Sequence, residues 1–308
     1  MQTTKNILMV RPSNFTFNSD TASSNSFQST IDSLDEEEIK QKALSEFETL
    51  AATLKSKGVN VFVFDDTPNP IKPDAIFPNN WVTFHPDGTV ILYPMFAFNR
   101  RDERRRDILD ALRKDFKIAS IVDFSYYENE QKFLEGTGSI VFDHANKIAY
   151  ACLSPRTNKE IFIKVSEYLQ YTPTYFHSRD RNGKEIYHAN VLMCIGEGFS
   201  VICLASITDK KEKEIVANSL KNTRHEVIEI SLEQMHRFAG NMLALQTKDN
   251  SSILALSQNA FNALTEIQKQ TMSKYCEFVP LAITTIETIG GGSARCMIAE
   301  IFLEQTED

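Results

Sequence analysis

Cys296 closes the run Ile289-Gly290-Gly291-Gly292-Ser293-Ala294-Arg295-Cys296-Met297. Three successive glycines leave the backbone free to adopt positive φ and to approach a ligand closely, and a thiolate just beyond them would meet backbone N–H groups. The plainer reading is a flexible turn followed by a small buried hydrophobe. Two other residues argue for chemistry. His188 stands directly ahead of an apolar strand in Tyr187-His188-Ala189-Asn190-Val191, and a thiol nucleophile needs a proton carrier with a pKa near neutrality, which imidazole supplies. Glu135, in Phe133-Leu134-Glu135-Gly136-Thr137-Gly138, is flanked by glycines that let its carboxylate face a cavity, where it would orient the imidazole or bind a substrate N–H. Taken singly, His188 reads as a structural histidine and Glu135 as a surface acid.

Spacing links them. Polar residues stand just before or near strands at positions 80, 135, 188, 241 and 296, at intervals of 55, 53, 53 and 55. A regular period of this length, with a few strands and a helix in each unit, marks a closed array of like modules. Closure of five such units about an axis would bring these positions to one mouth, with 241 the softest member. Apolar runs predict strands at 7–10, 59–64, 89–93, 139–142, 148–153, 191–195, 200–204, 242–246, 253–257, 279–284 and 297–302. Amphipathic stretches predict helices at 36–57, 102–116, 159–169, 209–222 and 260–275. The alternation is α/β. No Pro, Gly or Ser-rich linker divides the chain, so a single catalytic domain over 1–308 is expected, with the Ser, Thr, Asn and Phe-rich segment 14–33 as a loop over the mouth.

Composition narrows the setting. With 308 residues, 42% of them hydrophobic, the chain buries enough apolar surface to fold unaided. No apolar run approaches the roughly 20 residues of a membrane helix, and the N-terminus lacks a secretory signal, so a soluble cytoplasmic protein is expected. The five cysteines form no C-x-x-C pair and are odd in number, which suits reduced thiols and leaves no legible zinc site. A formal charge of −8 argues against a nucleic-acid surface. The basic run Arg100 to Arg106 is interrupted by Asp102 and Glu103 and reads first as a solvated helix face.

In sequence order the motifs are Met9-Val-Arg-Pro12, Asp74-Ala-Ile-Phe-Pro-Asn-Asn-Trp81, Leu134-Glu-Gly-Thr-Gly138, Leu153-Ser-Pro-Arg-Thr-Asn158, His188 and the terminal Gly-Gly-Gly-Ser-Ala-Arg-Cys-Met. Over nearly its whole length the chain thus resembles the pentein superfamily of guanidine-modifying enzymes, and more narrowly the amidinotransferase-like bacterial group of citrulline utilization hydrolases. The resemblance implies a five-bladed α/β propeller with the site on its pseudo-fivefold axis. It also implies Cys296 as nucleophile, His188 as general acid and base, and Glu135 as the carboxylate that holds the histidine and a substrate nitrogen. Asp74, Asn79, Asn80 and Asn190 fall in the substrate-binding motifs, Arg156 matches a position that pairs with a substrate α-carboxylate, and Arg100 or Arg101 lies near a second such position. The implied partner is a small amino-acid substrate, with neither nucleic acid nor membrane, no metal or organic cofactor, and a homodimer as the oligomer to test. Phe77, Trp81, Phe96 and Phe98 would line the site or pack in the core.

The chain departs from the guanidine-binding pattern at two acids. Asn80 stands where an aspartate is expected, and His188-Ala189-Asn190 replaces the His-x-Asp of arginine deiminases. A buried guanidinium needs nearby negative charge, whereas a neutral ureido group, with one C=O acceptor and several N–H donors, is matched by an amide. Citrulline hydrolysis to ornithine, ammonia and carbon dioxide is therefore the expected reaction. A guanidine hydrolase of the arginine deiminase or dimethylarginine dimethylaminohydrolase kind comes next, then amidino transfer and a non-catalytic propeller. A catalytic thiol of depressed pKa should react with iodoacetamide below about pH 8.

Overall fold

The computed structural model of the chain describes residues 1–306. In chain order its strands are β1 (Asn6–Arg11), β2 (Asn60–Asp65), β3 (Val82–Phe84), β4 (Thr89–Leu92), β5 (Ser120–Asp123), β6 (Ile140–Asp143), β7 (Ile148–Cys152), β8 (Thr172–Phe176), β9 (Met193–Ile195), β10 (Phe199–Ile202), β11 (Glu226–Glu229), β12 (Leu243–Gln246), β13 (Ser252–Ser257), β14 (Glu277–Leu281) and β15 (Ala299–Glu300). They form five three-stranded sheets of one topology, an antiparallel pair whose second strand also pairs in parallel with a third. Four sheets use consecutive strands, β3 to β14. The fifth joins the two ends of the chain, β15 antiparallel to β1 and β1 parallel to β2.

A parallel pair needs a crossover connection, and each unit fills it with helix: Glu36–Ser56, Arg106–Leu112, Lys159–Tyr168, Lys210–Asn222, and the pair Gln258–Ala263 and Glu266–Met272. Their starts are written locally. Asp35 and Glu38 form a reciprocal capping box, while Asn158 and Asp209 cap with their side chains. The strand period of two sends alternate residues of β1 into different cores. Ile7 and Met9 pack with Phe47, Leu50 and Leu54, and Leu8 and Val10 with Val82, Phe84 and Leu92.

Several elements differ from the sequence expectation. The helix predicted over 102–116 is a tight turn, Phe98–Glu103, followed by the shorter Arg106–Leu112. The one predicted over 260–275 breaks where Thr265 caps a second helix. The strand predicted over 279–284 stops at Leu281, and a helix, Thr284–Gly290, carries the chain into the triple-glycine run. Strands β5, β8 and β11 are short, partly exposed third strands that no apolar run announced. Asn80, Glu135, His188, Asn241 and Cys296 each stand just ahead of the first strand of a different sheet, β3, β6, β9, β12 and β15.

Candidate active site

Ahead of β6, the Glu135 N–H donates to Ser139 Oγ at 2.9 Å and forms a tight turn. Gly136 has φ +44°, and a Cβ there would lie 2.2 Å from the Asn79 carbonyl oxygen. A Cβ on Gly138 would lie 2.4 Å from Asn80 Nδ2 and 2.6 Å from His188 Nδ1. The glycines therefore let an amide and an imidazole close directly on backbone. The fully buried Glu135 carboxylate accepts from His188 Nε2 at 2.8 Å through one oxygen and from the Phe96 N–H at 3.0 Å through the other. Burial opposes its charge, but Arg156, His188 and Arg100 outweigh that and hold it well below the usual carboxylate range. Since an ionised carboxylate only accepts, Nε2 carries the imidazole proton and Nδ1 is the basic nitrogen. Burial lowers His188 to about 4 against the pull of Glu135. The resting ring is thus neutral, not poised near neutrality as its sequence context led us to expect.

Arg100 is buried, and its Nε and Nη2 donate to Glu103 at 2.8 Å each while Nη1 donates to Asn80 Oδ1 at 2.9 Å. A guanidinium has no acceptor, so this bond sets the Asn80 amide with its oxygen toward Arg100. Asn80 Nδ2 is then a buried donor without a partner among the described residues. Asp74 Oδ2 accepts from Asn18 at 2.8 Å and lies 3.6 Å from Arg100 Nε, while Oδ1 is buried and unpartnered. Burial raises Asp74, and raises Glu103 to about 7, against the pull of Arg100 in both cases.

Cys296 Sγ receives two amide N–H groups, Asn190 Nδ2 at 3.4 Å and Asn241 Nδ2 at 3.2 Å. Asn190 Oδ1 is a buried acceptor without a partner among the described residues. Burial raises the Cys296 thiol, partly offset by the Ser293 backbone and the two amides. This is the reverse of the depressed thiol expected from sequence, and burial is its cause. Asn241 was visible only as the fourth position of the repeat. Its type is ordinary and its neighbours are apolar.

Asp74, Asn80, Arg100, Arg156, His188 and Cys296 line one cavity, walled by Phe77, Tyr187 and the glycines 290–292. Its volume is about 10 Å³, room for about one water, because segment 18–28 lies across the mouth. Arg156 Nη2 donates to Ser24 Oγ at 2.6 Å and to the Thr21 carbonyl at 3.0 Å, and Asn25 Nδ2 to the Gly290 carbonyl at 3.3 Å. Arg156 also lies 3.6 Å from Glu135 Oε2 and 4.9 Å above the Tyr187 ring. Glu135 and Asn190 stand behind the lining, on His188 and Cys296, and two expected residues lie farther off. Arg101 turns away to the Met95 carbonyl and Glu128, the tight turn sending adjacent side chains in opposite directions, so Arg100 alone of the pair reaches the cavity. Asn79 is buried outside the lining, its amide unpartnered. Of the aromatic residues, Phe77 lines the cavity, Trp81 is core, Phe96 packs on Phe133 and Phe98 is exposed. Among the described residues no cluster of His, Cys, Asp and Glu could hold a metal, and no helix is long and apolar enough to cross a membrane.

The family model described as N,N dimethylarginine dimethylhydrolase, eukaryotic, matches residues 11–303. No curated protein matches the sequence. Among solved structures, the apo form of ArgZ, an arginine dihydrolase from the ornithine-ammonia cycle in cyanobacteria, is similar at a TM-score of 0.75 and 15% identity over 98% of this chain, which spans 41% of that one. The N-terminal domain of ArgZ, a cysteine-to-serine variant bound to substrate, gives 0.74 at 16% identity over 97% of this chain and 99% of that one. A DDAH from Pseudomonas aeruginosa, a cysteine-to-serine variant complexed with citrulline, gives 0.66 at 13% identity over 98% of this chain and 100% of that one. At such identities the likeness shows the fold, a mixed α/β arrangement of small sheets like that of pentein structures.

Proposed function

From the premise that this chain belongs to the N,N dimethylarginine dimethylhydrolase family of pentein hydrolases, we propose that it cleaves a C–N bond of a ureido amino acid, citrulline above others. The observation that carries the choice of substrate head is the orientation of Asn80. Arg100 holds its oxygen, which leaves the N–H beside Gly138 and His188 free to donate, on a residue that lines the cavity. A ureido oxygen can accept that N–H, and a ureido N–H can donate to the unpartnered Oδ1 of Asp74, which lines the same cavity. A guanidinium offers no acceptor and would leave a buried donor facing donors, at a cost of about 1–3 kcal/mol. The local charge supports a neutral head as well. Asp74, Glu103 and Glu135 face Arg100 and Arg156, and burial raises Asp74 and Glu103, which favours a protonated third carboxyl and a charge-balanced wall.

In this reading the five sheets stand as blades about one axis, within a single catalytic domain acting in the cytoplasm. Segment 18–28 moves aside, and the substrate α-carboxylate takes the place of Ser24 and the Thr21 carbonyl on Arg156. The planar fork of arginine suits that carboxylate. The sulfur of Cys296 adds to the ureido carbon, its proton passing to His188 Nδ1. His188 then protonates the terminal nitrogen, which departs as ammonia and leaves a thiocarbamate on sulfur. Water, deprotonated by the same imidazole, attacks the thiocarbamate carbon and releases the thiolate. The carbamate so formed falls apart to ornithine and carbon dioxide. Glu135 keeps the imidazole proton on Nε2 and stabilises the imidazolium while it lasts.

A guanidine hydrolase is the second reading. It is favoured by the carboxylates of Asp74 and Glu135 beside the cavity and by the substrate in the family's description. Citrulline, arginine, methylated arginines and agmatine, each assayed for ammonia, ornithine and citrulline, separate the two. Ornithine from citrulline alone supports the proposal. Citrulline accumulating from arginine replaces it with a deiminase.

A further inference from the structure

Resting on the reading of Cys296 as nucleophile, we infer that Asn241 is a further catalytic residue, whose amide N–H stabilises the thiolate and locks the sulfur to the segment that carries His188 and Asn190. Asn241 is fully buried at the head of β12. Its orientation is decided by backbone at both ends: Oδ1 accepts the Arg295 N–H at 3.1 Å, and Nδ2 donates to the Asn190 carbonyl at 3.0 Å. An inverted amide would set N–H against N–H and C=O against C=O. Of the two hydrogens on Nδ2, one is therefore committed to Asn190, and the other is directed at Cys296 Sγ, 3.2 Å away.

The groups around the sulfur leave this task to amides. His188 has its proton on Glu135, and the Tyr187 hydroxyl donates to the Gly291 carbonyl at 2.6 Å. Arg295, adjacent in sequence, sends its guanidinium to the Ile298 carbonyl and to Glu300, both at 2.8 Å. Asp74, Arg100 and Arg156 stand on other walls of the cavity, and Glu287 is taken by Ser293. Among the described residues the side-chain donors on Sγ are Asn190 and Asn241, beside the Ser293 backbone, and the protonated thiol faces Asn241 Oδ1 at 3.6 Å. Of these, Asn190 has an oxygen without a partner among the described residues, whereas every polar atom of the Asn241 side chain is engaged. Asn241 is the fixed side-chain donor. When the proton leaves sulfur, the charge develops against a dipole already in place, which needs no reorganisation.

The test is alkylation of Cys296 by iodoacetamide in the full-length protein as a function of pH, read by peptide mass spectrometry, for wild type, Asn241→Ala and Asn241→Asp. Below the titration of the thiol, Asn241→Ala should slow alkylation about tenfold, the worth of one hydrogen bond to a charged acceptor. Asn241→Asp should slow it further, since a carboxylate repels the thiolate, and kcat/KM should shift to higher pH in both. Asn241→Asp keeps the volume and the Arg295 bond and serves if Asn241→Ala does not fold. Folded variants with unchanged pH profiles would overturn the role of Asn241 alone. If instead activity is lost while Cys296 stays unmodified, the nucleophile itself is misassigned.

Discussion

Replacing Asn80 with aspartate tests the substrate reading at a single atom. The Oδ1 bond from Arg100 at 2.9 Å survives, because aspartate offers the same acceptor to the same guanidinium. The unpartnered Nδ2 becomes an anionic oxygen beside Gly138 and His188. For a ureido substrate this removes one hydrogen bond, about 1 kcal/mol, and sets the new oxygen against the substrate C=O, which adds a further 1–3 kcal/mol for a buried mismatch. The sum of about 2–4 kcal/mol corresponds to roughly a 30- to 1000-fold fall in kcat/KM for citrulline. A guanidinium gains a carboxylate partner, so the ratio of arginine to citrulline turnover should rise. Asn80→Ala supplies the control, a loss of the donor with no gain for arginine. The assay is ammonia and ornithine release from each substrate, with thermal unfolding to verify that the variants fold. A citrulline kcat/KM within threefold of wild type in folded Asn80→Asp would refute the argument.

Three further outcomes follow from geometry. In Gly138→Ala the added methyl would lie 2.4–2.7 Å from the Asn80 amide and the His188 ring. Activity should fall at least 100-fold with a stability loss of about 1–3 kcal/mol, and wild-type kinetics would show that the ring does not rest on this backbone. Arg156→Lys keeps a charge without the fork, so KM for citrulline should rise about tenfold with kcat less affected, while an equal fall in kcat at unchanged KM would deny it a carboxylate role. Burial raises Glu287 from 4.5 to about 7. A carboxyl raised in the fold contributes stability present below its unfolded pKa and lost as pH rises through 7, here about 3 kcal/mol. Urea unfolding at several pH values should therefore show a weaker decline between pH 4.5 and 7 in Glu287→Gln than in wild type, and parallel curves would contradict the assignment.

How much was legible in sequence depended on how each residue makes its contact. Strands such as β4, β7 and β13 are almost wholly buried and announce themselves as apolar runs. β5, β8 and β11 are half exposed and carry no such mark. The common interval placed Asn80, Glu135, His188, Asn241 and Cys296 at equivalent strand heads, and the structure puts them there. The motifs could not say whether Asn79 joins Asn80 at the cavity or which of Arg100 and Arg101 reaches it, since neighbours in a tight turn point opposite ways. Nor could it reveal that Arg156 rests on Ser24 and Thr21, contacts between segments more than 130 residues apart. At His188 and Cys296 the protonation state followed burial. Full desolvation turned an expected near-neutral imidazole into one lowered to about 4 and moved the thiol upward instead of down.

The central claim is that Cys296 forms a bond to the ureido carbon. Acid quenching of wild type during citrulline turnover, followed by peptide mass spectrometry, tests it most directly. The account predicts an adduct of citrulline minus ammonia on the peptide bearing Cys296, absent in Cys296→Ser, which should fold normally and show no turnover. An adduct on another residue, or turnover retained by Cys296→Ser, would contradict it.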